Sequence, residues 1–210
     1  QSPTQTTQGT LFGRSVSTSG DINNDGFNDL IVGNTGSLDS PTGYSAVEIF
    51  HGTSNGYLSQ STNYFQSNLQ GTLFGYEVEI VTDINGDGYD DVFISEPYNS
   101  SNAYQSGMVW VFLGNSSGVA DQPDLVLTGQ INELIGLNVL SAGDSNSDGF
   151  NDVFITHSGS YTTGSAELYL GSSSGLESQY YTVLENGGNA ALSAISGVYF
   201  DGDSVEDFVF

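Results

Sequence analysis

Short apolar runs punctuate this chain from end to end, and none has the i, i+3, i+4, i+7 spacing of an amphipathic helix. Three unbroken apolar stretches stand out: Leu30-Ile31-Val32, Val92-Phe93-Ile94 and Val153-Phe154-Ile155. An alternating run follows each, A-V-E-I-F-H-G to Gly52, M-V-W-V-F-L-G to Gly114 and A-E-L-Y-L-G to Gly171. Next come the turns G-T-S-N-G-Y, G-N-S-S-G-V and G-S-S-S-G-L, with Gln60, Gln122 and Gln179 at matching places beyond them. A further strand leads into the next unit, as at Asp124–Thr128 and Tyr180–Leu184. Upstream, Q-G-T-L-F-G occurs at Gln8–Gly13 and Gln70–Gly75, with the weaker N-E-L-I-G ending at Gly136.

Each unit therefore predicts four short strands and no helix, with units over residues 8–69, 70–130 and 131–189. Four strands in about 60 residues is the pattern of a β-propeller blade. The unbroken apolar strand is expected to be buried on both faces, between neighbouring blades. A fourth unit, 190–210, is incomplete: Y-F-D-G-D-S-V-E-D at Tyr199–Asp207 is followed by Phe208-Val209-Phe210. Residues 1–7 occupy a fourth-strand position with no blade of their own. The expected fold is all-β, three complete propeller blades with partial blades at the ends.

Between the first and second strands of each unit lies the chemistry. Nine residues after Phe12, Phe74 and Ile135 come Asp21, Asp83 and Asp144, opening D-I-N-N-D-G-F-N-D, D-I-N-G-D-G-Y-D-D and D-S-N-S-D-G-F-N-D. Calcium is a hard cation that takes 6–8 oxygen ligands, and oxygens on alternate residues let a loop curl round one ion. The first set is Asp21, Asn23, Asp25, the Phe27 carbonyl and Asp29. The second is Asp83, Asn85, Asp87, the Tyr89 carbonyl and Asp91; the third is Asp144, Asn146, Asp148, the Phe150 carbonyl and Asp152. An EF-hand would need flanking helices and a Glu at position twelve, where Val32, Ile94 and Ile155 stand in strands. The fourth loop keeps Asp201, Asp203 and Asp207 but has Tyr199 at the first ligand position and Ser204 in place of the turn glycine, so a weak or empty site is expected.

Charge agrees. The chain has 25 acidic residues against one cation, Arg14, for a net charge of -24. Phosphate-bearing partners such as nucleic acid, or an anionic membrane surface, would be repelled. No apolar run is long enough to span a bilayer. Cysteine is absent, so bound metal is the available staple. The chain opens at Gln1, which suggests a secreted protein with its signal peptide removed. No nucleophile with a base, phosphate loop or His-rich centre is visible, which points away from an enzyme. His51 is expected to be structural and His157 to lie in an inter-strand loop. Trp110 is expected to pack between blades and Arg14 to pair with a carboxylate. Asn99 and Asn115 head glycosylation sequons.

The F-G, the D-x-N-x-D-G-x-x-D loop, the apolar strand and the G-x-V-x-V-F-x-G strand together resemble FG-GAP repeats, as in the integrin α propeller and many secreted bacterial proteins. The resemblance implies a β-propeller with Ca²⁺ in the loops between first and second strands. The G-A-P element is replaced by Gly33-Asn34-Thr35, Ser95-Glu96-Pro97 and Thr156-His157-Ser158, and D-x-S-x-S and R-G-D are absent. The functional expectation is a non-catalytic, extracellular calcium-binding module that self-associates, as a filament or ring, through open blade edges. The alternatives are an adhesin or carbohydrate-binding module using Tyr98, Tyr104 and Tyr161, or an accessory propeller of a larger secreted protein.

Overall fold

A computed structural model describes residues 11–36, 44–158, 164–186, 195–198 and 207–209. The first blade runs β1 (Phe12–Ser17), β2 (Leu30–Asn34), β3 (Ala46–Phe50) and β4 (Asn63–Gln66), paired in that order. The second has β5 (Val78–Val81), β6 (Asp91–Glu96) and β7 (Met108–Phe112). A two-strand ribbon follows, β8 (Gly114–Asn115) with β9 (Gly118–Val119), and β10 (Leu125–Thr128) closes the blade beside β7. The third comprises β11 (Asn138–Gly143), β12 (Asp152–Ser158), β13 (Gly164–Tyr169) and β14 (Tyr180–Asn186). β15 (Ile195–Val198) and β16 (Asp207–Val209) pair as a two-stranded fragment. All of these pairings are antiparallel. The first strands β1, β5, β11 and β15 are neighbours in turn, as they are around a propeller axis. The molecule is thus an all-β propeller built of four-stranded blades.

The second strand of each blade is the buried one. All six residues of β6 are buried, which is why no alternation marks it. Ile31, Val92 and Val153 face Ile49, Phe112 and Tyr169 across the sheet. Two cores result. Between blades one and two, Ile31, Val47 and Ile49 meet Phe74, Val78, Ile80, Val92 and Phe112. Between blades two and three, Phe93, Val109, Val111 and Leu127 meet Ile135, Val139, Val153 and Ile155. The Phe-Gly element explains its own glycine here. Gly75 has φ +76 and lies against Val47 and Gly33 of blade one, and Gly136 has φ +87 and lies against Val109 and Ser95 of blade two. A Cβ at either place would force the blades apart.

Among the described residues, the repeat leaves an apolar face of blade one exposed. Phe74 and Val78 are 5% and 0% exposed, and Ile135 and Val139 are 3% and 1%, but Phe12 and Val16 at the same repeat positions are 44% and 51% exposed. In blades two and three these side chains pack on the preceding blade. In blade one they face outward.

Several expectations change. His157 lies within β12, not in a loop, and is buried. It extends the strand because its backbone pairs with Ser165 of β13. The Arg14 guanidinium stacks 4.2 Å from the Tyr76 ring centroid; burial raises the neighbouring Glu77 carboxyl, and the Ser15 hydroxyl and the Arg14 charge partly oppose that. Trp110 does lie at the junction of blades one and two, edge-on to Phe74 at 6.0 Å, and its Nε1 donates to Glu96 Oε2 at 3.2 Å. Asn99 is 2% exposed, and its side chain donates to Glu96 and accepts from Ser101 N–H. As folded, that sequon is inaccessible. Residues 1–7, Tyr161, Asp201 and Asp203 lie outside the described residues, and Asp207 opens β16.

Glu79 on β5 provides a pH-dependent test. Burial pushes its carboxyl up to about 7; the Glu77 charge adds to this, and the Ser17 and Ser19 hydroxyls oppose it. The folded state therefore holds this proton more tightly than the unfolded chain, whose ordinary value is 4.5. Its contribution is fully favourable below about 4.5 and is lost as pH rises to about 7. Glu79→Gln should raise Tm relative to the parent at pH 8 and leave it unchanged at pH 4. The difference corresponds to up to about 3 kcal/mol, read from paired thermal melts across that range. A constant offset would show that Glu79 does not titrate in this window.

Candidate metal centres

Each loop joins the first strand of its blade to the second, and the three share one internal scaffold. The position-one carboxylate accepts from the N–H groups of positions five and six: Asp21 from Asp25 and Gly26 at 3.1 and 2.7 Å. Asp83 accepts from Asp87 and Gly88 at 3.0 and 2.9 Å, and Asp144 from Asp148 and Gly149, both at 2.9 Å. The position-three Asn Oδ1 accepts the N–H of position five, at 3.1, 3.0 and 3.0 Å. Position five accepts the N–H of position seven at 3.0 Å in all three. Successive Asx turns thus turn the side-chain oxygens of positions one, three and five towards the loop's own backbone. Glycine at position six, with φ near +90°, makes the reversal. Position four is also left-handed in all three loops, at Asn24, Gly86 and Ser147.

Position nine does more than close a shell. Asp29, Asp91 and Asp152 are fully buried. Asp29 accepts from Ile22 N–H and Gly52 N–H, both at 2.8 Å, and Asp91 from Ile84 and Gly114 at 2.8 and 2.9 Å. Asp152 does the same with Ser145 and Gly171 at 3.0 and 2.9 Å, and also receives the Ser145 hydroxyl. Each therefore ties its loop to the end of the third strand. That explains why Gly52, Gly114 and Gly171 recur: a Cβ there would meet the loop's backbone carbonyls. Burial pushes the Asp91 carboxyl up to about 7, against the pull of the Gly114 and Ile84 N–H groups and with the charges of Asp87 and Asp83 adding. Burial raises Asp29 as well. Carboxylates so placed are stabilised in their ionised form by a nearby divalent cation.

Neighbouring loops also touch, which the sequence did not reveal. Position eight, which has no role in the ligand pattern, reaches back to the previous loop. Asp90 accepts from Asp21 N–H at 2.7 Å and from its own loop's Asp83 N–H at 3.3 Å. Asn151 donates to the Asp83 carbonyl at 3.4 Å. The Phe150 ring lies over Gly86, where a Cβ would stand 2.9 Å from it. Asn23 meets His51 Nδ1 at 3.2 Å, so His51 orients one proposed ligand. The contacts of Asp90, Asn151 and Phe150 lie between repeats, and that of Asn23 with His51 lies within one.

Among the described residues, one set of His, Asp and Glu side chains brings three ligand atoms within 4.8 Å of one another. It is Glu133, His157 and Glu167, away from all three loops. The loop carboxylates instead turn to their own backbone N–H groups. Their remaining donors would be amide and carbonyl oxygens, and that oxygen-rich set fits calcium.

The fold and these loops follow the pattern of FG-GAP repeats. The FG-GAP repeat family matches residues 12–50 and 74–112, the spans from Phe12 and Phe74 to the ends of the third strands. The third repeat, with Ile135-Gly136, lies outside the matched spans. The chain thus carries two FG-GAP repeats and is similar in sequence to integrin alpha chains. It is 35% identical to integrin alpha-3 of Mus musculus over 88 residues, covering 40% of this chain and 8% of the relative. It is 27% identical over 166 residues to integrin alpha-IIb of Mus musculus, covering 75% of this chain and 16% of the relative. Integrin alpha-V of Gallus gallus is 27% identical over 168 residues, again 75% and 16%. The chain thus spans at most about a sixth of the length of these relatives.

Proposed function

We propose that the chain is a non-catalytic, extracellular propeller module in which three loops each bind one Ca²⁺ and an uncovered blade face associates with another blade of the same kind. The observation that carries the metal reading is the shared scaffold: three loops with the same turns and the same oxygens at positions one, three and five, each anchored by a buried aspartate. The ligands would be Asp21, Asn23, Asp25, Asp29 and the Phe27 carbonyl, with Asp83, Asn85, Asp87, Asp91 and Tyr89, and Asp144, Asn146, Asp148, Asp152 and Phe150, in the other two. Asp201, Asp203 and Asp207 form a weaker fourth candidate. Calcium titration by calorimetry should return three sites, and Asp87→Ala should remove the middle one.

The loop contacts refine that test. Asp90 is hydrogen-bonded to the first residue of two loops. Hydrogen bonds to charged groups contribute about 1.5–3 kcal/mol. Asp90→Ala should therefore weaken calcium at loops one and two together by about tenfold or more, and leave loop three within about twofold. An effect confined to loop two would show that the contact with Asp21 carries no coupling.

The association reading rests on Phe12 and Val16, whose repeat equivalents are covered by a preceding blade. A similar forward face on a second copy of the chain would cover them. A carbohydrate-binding reading has its own observation. A groove of about 550 Å³ between blades one and two is lined by Tyr64, Phe74, Met108 and Trp110, with Glu96 and Asn99 among its polar groups. Aromatic faces beside polar groups suit sugar rings. The exposed loop residues Tyr98 and Tyr104 do not line this groove. Quenching of Trp110 fluorescence by neutral oligosaccharides, abolished by Tyr64→Ala, would support this second reading; an unresponsive spectrum would remove it.

A further inference from the structure

We propose that Glu133, His157 and Glu167 form a second kind of metal site, one for a first-row divalent transition metal such as Zn²⁺, stapling the connection between blades two and three to the strands of blade three. Glu133 belongs to the segment joining β10 to β11, His157 to β12 and Glu167 to β13. His157 Nε2 lies 3.0 Å from Glu167 Oε1 and 3.7 Å from Glu133 Oε1, and the Ser165 hydroxyl reaches the same nitrogen. Three oxygens thus converge on one ring nitrogen, which can carry a single proton and serve one of them.

The carboxylates are held as metal ligands are. Glu167 Oε2 accepts from the Tyr169 hydroxyl at 3.0 Å, leaving Oε1 turned to the histidine. Glu133 Oε2 accepts from the Gln130 N–H, again leaving Oε1 turned inward. Outer donors of this sort fix the orientation of ligating carboxylates. His157 and Glu167 are more than nine-tenths buried.

An ion pair without metal is the competing account, and it fits poorly. An imidazolium has two N–H groups to satisfy, yet His157 Nδ1 is buried with no hydrogen-bond partner. A neutral imidazole leaves two glutamates of like charge beside each other. Lysine is absent and the one arginine stacks on Tyr76, so no long cationic side chain is at hand among the described residues. Metal on Nε2 compensates both carboxylates. It also leaves Nδ1–H unpaired, but a coordination bond outweighs one unmade hydrogen bond. One nitrogen with two carboxylates suits zinc better than calcium, which takes oxygen.

The repeat supplies an internal control. The matching positions in blade two are Thr72, Glu96 and Trp110, which are not a metal-binding set. The site also stands apart from the calcium loops. Asp152 and His157 lie five residues apart on β12, about 17 Å at the usual strand rise.

The test is calorimetric titration of the full, chelator-stripped chain with ZnCl₂ in saturating calcium. The expected result is one zinc site, weakened at least about a hundredfold in His157→Gln and in Glu133→Gln, with calcium stoichiometry unchanged in both. Glu133 is less buried than His157, with 19% of its side chain exposed against 8%, so its variant decides the matter if His157→Gln fails to fold. His51→Gln should keep zinc binding. Absence of zinc binding in the parent, or binding that survives both site variants, would overturn the proposal. Loss of zinc on His51→Gln would do the same. Because calcium is counted separately, failure here leaves the loop reading standing, and the reverse also holds.

Discussion

Stripping calcium with a chelator should lower the melting temperature of this protein by roughly 15–30 °C. The size follows from mass action. A ligand that binds only the folded state, at about a hundred times its Kd, contributes about 2.7 kcal/mol per site, so three sites contribute about 8 kcal/mol. In a chain of this size each kcal/mol moves Tm by about 2–4 °C. The loops give that coupling a structural route. Asp29, Asp91 and Asp152 connect each loop to the start of the second strand and the end of the third. Releasing the ion leaves a fully buried carboxylate beside other acidic groups, with backbone N–H donors alone to hold its charge. Burial already pushes Asp91 towards about 7, so the cost concentrates there. Differential scanning fluorimetry in calcium, then in chelator, then after calcium is restored, reads the effect. A melt that does not move would mean that the loops fold as metal-free Asx turns, which their internal hydrogen bonds also permit.

The fold was legible because the repeat is written in chemistry that survives divergence. Phe-Gly, the loop and the glycine after the third strand each have a local steric or hydrogen-bonding reason to recur. Gly75 must pass close to blade one, and Gly114 must pass close to a loop carbonyl. Four strands per unit followed from their spacing, and their pairing order agrees. What was not legible depends on neighbours brought together across blades. Asp90 had no assigned role in the sequence because its partner lies in another repeat, at Asp21. His157 looked like a loop residue because the strand's polar end carries no apolar signal, yet pairing with Ser165 continues the ladder. Glu133, ahead of β11, and Glu167, on β13, lie in one unit of sequence, but no spacing pairs them; they meet through the packing of the connection on blade three. Asn99 matched a sequon, and only the structure shows its side chain buried against Glu96.

The second large effect separates the uncovered face from the covered ones. Val16 and Val78 occupy the same place in successive repeats, but Val78 is fully buried and Val16 is half-exposed. Val78→Asp would place an unpaired carboxylate among Ile31, Ile49, Val92 and Ile94. Burying a charge without a partner belongs to the short list of changes that cost more than about 4–5 kcal/mol. A fall in Tm of about 10–20 °C, or failure to fold, is expected. Val16→Asp should leave the monomer's melt within about 2 °C, since surface substitutions usually cost under about 0.5 kcal/mol. Its effect should instead appear in sedimentation velocity, as loss of concentration-dependent association, because a charge in an apolar docking face opposes burial there. A parent chain that remains monomeric at every concentration would remove self-association as the role of this face. A Val16→Asp variant as unstable as Val78→Asp would show that the face is covered within the chain. Either result is decisive because the two valines share one strand position and one repeat context, and they differ in whether a described blade packs on them.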